Sequence, residues 1–222
     1  MLLAALFVLF SVGLTPVDVA LDPGHSRADV GASGGGLREF EVSLDLAGRV
    51  RDRLAAAGLS VRLTREDSLP LTALSQPGAT AQIAAEQQAR IEAGGPARVY
   101  VSLHFNGGPV SLRGTETYYN PDREPGSGDW ALARALQRHV VQSLGDEVGY
   151  PTLDRGVKND LLAGKPYGHF FSLRGPQPSA LLEALFLSNP TEAALLRGDD
   201  ARDAIADGVT QGILEYLAGA DS

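Results

Sequence analysis

Short apolar runs alternate with amphipathic stretches along this chain, in the rhythm of βα units. Val-, Leu- and Tyr-rich runs predict strands at residues 17–21, 60–64, 98–103, 114–119 and 179–186. A helix is predicted over 40–57, where Leu44, Ala47, Val50 and Leu54 share one face and Gly58 gives the stop signal. Further helices are predicted over 79–93 and 130–144. The last segment opens with Asn189-Pro190-Thr191-Glu192, an Asn cap followed by Pro at the first helical position and Glu three residues after the cap. Its helix pauses at Gly198 and resumes to Leu217. Gly, Pro and Asp mark 122–128 and 145–164 as loops. Gly34-Gly35-Gly36 reads as a flexible loop, because no Gly-Lys-Ser/Thr follows to make it a phosphate loop.

Three of the strand runs carry residues that an apolar strand does not need. The segment VDVALDPGHSRADVGA, residues 17–32, hands His25 to the end of the first run. RVYVSLHFN, residues 98–106, ends in the same way with His104, and SALLEALFLSN, residues 179–189, contains the single acidic residue Glu183. Two histidines and a carboxylate on separate hydrophobic strands converge if those strands share one parallel sheet, whose ligands bind at the carboxyl ends of the strands. A short βα connection places the start of the first helix there too, so Glu39 can reach back towards His25. Glu41, two residues on, is turned away by about 200°. His25, Glu39 and His104 would form a His₂Glu set with an open fourth position, as in catalytic zinc sites. Glu183 would act as general base and then general acid, since a lone carboxylate on a buried strand is costly unless it is paired or functional.

Composition narrows the function class. At 222 residues the chain suits one α/β domain. A net charge of −8 with no basic stripe argues against a nucleic-acid partner, and the absence of cysteine excludes disulfides, thiolate zinc sites and cysteine nucleophiles. Residues 1–14, MLLAALFVLFSVGL, are apolar but shorter than the roughly 20 residues that span a bilayer. They read as a signal sequence or its remnant, with an apolar first strand as the alternative, and no stable membrane insertion is expected. The domain expectation is therefore an apolar leader over 1–15 and a catalytic domain over 16–222. Asn106 and His169 are candidate substrate contacts, and His139 reads as a partly exposed helical histidine. Asp22 is either a partner that fixes a ligand or a turn-forming residue before Pro-Gly.

The same residues resemble a known family. Asp22-Pro23-Gly24-His25 with Asp29, Gly31-Ala32, Glu39, Leu44 and Ala47 is similar to the first block of the zinc-dependent N-acetylmuramoyl-L-alanine amidases, the amidase-3 family. Residues 101–106, Arg155-Gly156-Val157-Lys158 and residues 178–190 resemble the second, third and fourth blocks. The resemblance runs from about Val17 to Leu217 and departs where Ser26-Arg27 replace a glycine pair after the first histidine. It implies a twisted, mostly parallel sheet flanked by helices on both faces. It implies zinc at His25, Glu39 and His104, with Glu183 as the catalytic glutamate. The implied reaction cleaves the amide between the lactyl group of N-acetylmuramic acid and L-alanine in peptidoglycan, outside the cytoplasm in the periplasm, wall or medium. A zinc carboxypeptidase or aminopeptidase and a non-catalytic wall-binding module are the rival readings. Some members carry an inserted inhibitory helix. Residues 68–95 are where one would lie here, and they predict a single ordinary helix and hence an open site. No wall-binding repeat is expected after Ser222.

Overall fold

Strand alternation sorts this chain onto two faces of one sheet, and the two faces differ in chemistry. The computed structural model describes residues 14–73, 80–123 and 128–220, so most of the expected leader lies outside the described residues. In chain order the elements are β1 (Val17–Pro23), β2 (Ser33–Gly34), β3 (Leu37–Arg38), α1 (Glu39–Ala56), β4 (Val61–Leu63), α2 (Thr80–Gly94) and β5 (Ala97–Asn106). They continue with β6 (Thr115–Tyr119), α3 (Asp129–Val148), β7 (Asp154–Asn159), β8 (Ser179–Phe186), α4 (Pro190–Leu196) and α5 (Asp199–Ala220). The main sheet has the order β4-β1-β5-β8-β6-β7. β4, β1, β5 and β8 are parallel, whereas β6 runs antiparallel to β8 and carries β7 with it. Among the described residues no helix is long and apolar enough to cross a membrane.

One face is apolar. Val19 and Leu21 of β1, Val99, Val101 and Leu103 of β5, and Ala180, Leu182 and Ala184 of β8 join the buried residues of α1, α3 and α5 in one core. The other face carries polar rows in ladder register. Asp22, Ser102, Leu181 and Tyr118 pair across four strands, and His104, Glu183 and Glu116 pair across the next step. Helix α2 crosses this second face against β1 and β4.

Two loop expectations are corrected. Gly35 and Gly36, at φ 57° and 82°, form the tight turn between β2 and β3 rather than a flexible loop. Positive φ at both central residues is what a two-residue hairpin of this hand demands. The hairpin leads directly into α1 and so fixes where Glu39 begins. Within 145–164, residues 154–159 form the edge strand β7. Its sequence, DRGVKN, is half-buried and lacks alternation, because an edge strand is held by backbone pairing with β6 rather than by an apolar face.

Helices α3 and α5 meet closely at Gly208, where an added Cβ would lie 2.6 Å from Cα of Val140. Alanine is the better helix former by up to about 1 kcal/mol, but the clash is with backbone. Gly208→Ala is therefore expected to lose roughly 1–3 kcal/mol of stability in urea unfolding. Stability equal to or above that of the wild type would mean that the helices separate freely.

Candidate active site

The first ligand-like residue sits on a turn that ordinary residues avoid. His25 follows β1 with φ 60°, the only positive φ among the described non-glycine residues. This conformation turns the imidazole over the end of the sheet. Its Nδ1 pairs with Asp29 Oδ2 at 3.0 Å, and its Nε2 faces Glu39 Oε2 at 3.3 Å. Glu39 is the first residue of α1, where the helix dipole favours an anion. Its Oε1 accepts from Phe105 N at 3.1 Å and lies 2.9 Å from His104 Nδ1, while Oε2 accepts from Ala32 N at 2.6 Å. Glu41 is exposed and pairs with Arg38.

Electrostatics gather positive charge at this point. Burial opposes a charge on His25, but Asp29 and Glu39 override it and push the imidazole up to about 10. Burial likewise opposes ionisation of Glu39, and the two imidazoles override it, so the carboxyl is held well below its usual range. A field that favours bound protons so strongly also favours a divalent cation. Donor atoms of His25, Glu39 and His104 lie within 4.8 Å of one another, a set that can hold a metal ion. Two imidazoles and one carboxylate suit zinc, and Asp29 supplies the usual outer partner that fixes a ligand's tautomer. Close approach is built in by glycine. A Cβ on Gly24 would lie 2.4 Å from His104 Cε1, and one on Gly31 would lie 2.4 Å from Glu39 Oε2.

Glu183 lies beside His104 in the ladder, with its Oε2 buried and lacking a hydrogen-bond partner. Burial pushes its carboxyl far above the usual range, and the nearby Glu39 charge pushes the same way. The cavity in front of these groups measures about 280 Å³, and Gln87, Lys165, Tyr167 and Phe171 are among the other residues that line it. Asn106 and His169 do not line it. Asn106 spends Nδ2 on Glu116 at 2.7 Å, and His169 is bridged between Asp160 at 2.7 Å and Asp122 at 3.1 Å. Asp22 does not touch His25; it accepts from Thr64, Ser102 and Arg90. His139, half-buried in α3, pairs with Glu215.

Sequence reading missed Glu116 on the far side of Glu183. Its Oε2 receives Arg155 Nε at 2.5 Å together with the Lys158 ammonium, and its Oε1 receives Asn106 and Tyr118. Burial opposes its charge, but Lys158 and Arg155 prevail and hold the carboxyl down to about 2. The signal was available but weaker: TETYY places one carboxylate in a β-branched and aromatic strand, where SALLEALF places one in an apolar run.

Fold and site together define the class, a single-domain α/β enzyme with a facing His–Glu–His donor set and a buried carboxyl beside it. Residues 19–215 match the Amidase_3 family model, described as N-acetylmuramoyl-L-alanine amidase. The chain is 31% identical over 212 residues to the germination-specific N-acetylmuramoyl-L-alanine amidase of Bacillus subtilis, covering 94% of this chain and 83% of that protein. It is 30% identical over 226 residues to the amidase AmiA of Escherichia coli, covering 90% and 75%. The catalytic domain of the amidase CwlV from Paenibacillus polymyxa superposes with a TM-score of 0.71 at 28% identity, covering 92% of this chain and 99% of that one. The CwlD amidase of Clostridioides difficile, solved in complex with the GerS lipoprotein, gives 0.76 at 27%, covering 91% and 99%. This chain belongs to the Amidase_3 family of N-acetylmuramoyl-L-alanine amidases. It is a peptidoglycan hydrolase that cleaves the bond between the lactyl group of N-acetylmuramic acid and L-alanine.

The Glu116 cluster gives a pH prediction. A carboxyl lowered by folding contributes stability above its unfolded value, and this is lost as pH falls through the folded value. Glu116→Gln should cost roughly 1–3 kcal/mol at neutral pH. Its deficit should shrink as pH falls from 4.5 towards 2, where the wild-type carboxyl also becomes neutral. A deficit that stays constant across that range in denaturant titrations would mean that its charge contributes nothing.

Proposed function

We propose that this amidase works with one zinc ion held by His25, Glu39 and His104, and that Glu183 carries the proton. The observation that supports this most directly is the unpartnered Oε2 of Glu183, buried beside the His–Glu–His set. The chemistry a zinc ion supplies there is polarisation of the scissile carbonyl and acidification of water. The three ligands hold and orient, and Asp29 keeps the His25 ring in one tautomer.

Glu183 performs the proton transfers. Its Oε2 accepts a proton from the attacking water as the new C–O bond forms, then delivers it to the stem-peptide nitrogen as the C–N bond breaks. Burial raises the proton affinity of this carboxyl, and a nearby divalent cation lowers it again. The two influences oppose each other, which suits a group that must both take and give a proton near neutral pH. Gln87, Tyr167 and Phe171 line the cavity and are assigned the contact with the sugar–peptide junction. The polymer lies outside the cytoplasmic membrane, so the site of action is the periplasm, cell wall or medium.

Three outcomes are expected. His104→Ala should lose stoichiometric zinc by elemental analysis, and full retention would remove it from the ligand set. Glu183→Gln should keep zinc and lower turnover on purified peptidoglycan by about 10²–10⁴-fold, the usual contribution of general acid–base catalysis. Activity near wild type would place the proton carrier elsewhere. Mass identification should show released stem peptides with free L-alanine amino termini, abolished by chelator. Release of single terminal amino acids would instead indicate a peptidase.

A further inference from the structure

The backbone of the Asp22-Pro23-Gly24-His25 turn presents three consecutive carbonyls to two buried guanidinium groups. Arg90 of α2, 1% exposed, donates from Nη1 to Pro23 O at 2.6 Å and to Asp22 Oδ1 at 3.1 Å, and from Nη2 to His25 O. Arg65, just after β4, donates to Pro23 O at 3.0 Å and to Gly24 O at 2.8 Å. Arg90 is itself held by Glu86 at 3.3 Å, one helical turn earlier on α2. Glu86 also accepts from Leu71 N at 3.0 Å and Thr72 N at 2.8 Å. Arg90 thus reaches the carbonyls on both sides of Gly24 from one planar fork, and among the described residues no other donor does so.

We propose that Arg90 is a positioning residue of the metal site, fixing the Pro23 and His25 carbonyls so that the His25 ring faces Glu39 and His104. The proposal rests on the reading that these three side chains hold the metal. His25 occupies a left-handed conformation that a non-glycine residue keeps only when its surroundings over-determine it. A planar five-donor fork does this where a point charge cannot. Arg90→Lys retains a cation beside Asp22 but cannot bridge both carbonyls.

The test is zinc affinity by competition with a chromophoric chelator, beside melting temperature. Arg90→Lys is expected to weaken zinc binding by about 10–100-fold, the usual effect of losing a group that orients a ligand. Ile213→Ala, a core truncation in α5, should lower the melting temperature and leave zinc affinity unchanged. Wild-type zinc affinity in Arg90→Lys overturns the proposal. If Arg90→Lys fails to fold, Glu86→Gln should weaken zinc in the same direction by a smaller factor, and no change there overturns it equally. Amide hydrogen exchange of the zinc-stripped protein separates this proposal from the metal reading. The amides of Gly24, Ser26, Arg27 and Asp29, all hydrogen-bonded within or against this turn, should exchange faster in Arg90→Lys. Unchanged exchange overturns the positioning role. A wild-type protein that binds no zinc refutes the metal reading instead.

Discussion

One buried carboxylate, that of Glu39, ties the catalytic end of this molecule together. Its oxygens take backbone N–H groups from the loop after β1 and from β5, and they face the imidazoles on those same two segments. Three separate pieces of chain therefore meet at one anion, at the positive end of a helix. Burying that charge without such partners would cost several kcal/mol. With them it becomes an electrostatic sink that favours cations between the two rings.

The rest of the fold serves to bring that anion and its partners into register. The apolar face of the sheet, covered by α1, α3 and α5, supplies the burial that drives folding. The polar face is left for chemistry, and the pleat aligns His104, Glu183 and Glu116 on adjacent strands. Around the site Asp22, Glu39 and Glu116 have both oxygens satisfied, whereas Oε2 of Glu183 is not. A satisfied carboxylate contributes to structure. An unsatisfied one, adjacent to a cation-attracting set and open to a cavity, is available to exchange a proton.

The sequence made some of this legible and hid the rest for physical reasons. His25, His104 and Glu183 stand out because an apolar parallel strand has few uses for an ionisable residue. Glu39 follows from short-loop geometry, which forces the helix start near the strand end. β7 was hidden because DRGVKN owes its strand state to a neighbour's backbone, which leaves no periodic trace. Arg90 was hidden because it comes from a helix far away in sequence, and an arginine in an amphipathic helix usually faces water. Asn106 and His169 draw notice in the sequence only from their place beside a histidine and an aromatic pair. They hydrogen-bond, respectively, to Glu116 and to Asp160 and Asp122, partners that only tertiary structure reveals.

We propose that the Glu39 anion and its two imidazoles hold the metal on which hydrolysis depends. The most direct measurement is an anomalous difference map at the zinc edge from crystals grown with one equivalent of zinc. A single dominant peak is expected between His25, Glu39 and His104, with donor distances of about 2.0–2.2 Å. A dominant peak elsewhere, at His139 or His169 for example, with none at Glu39, would contradict it.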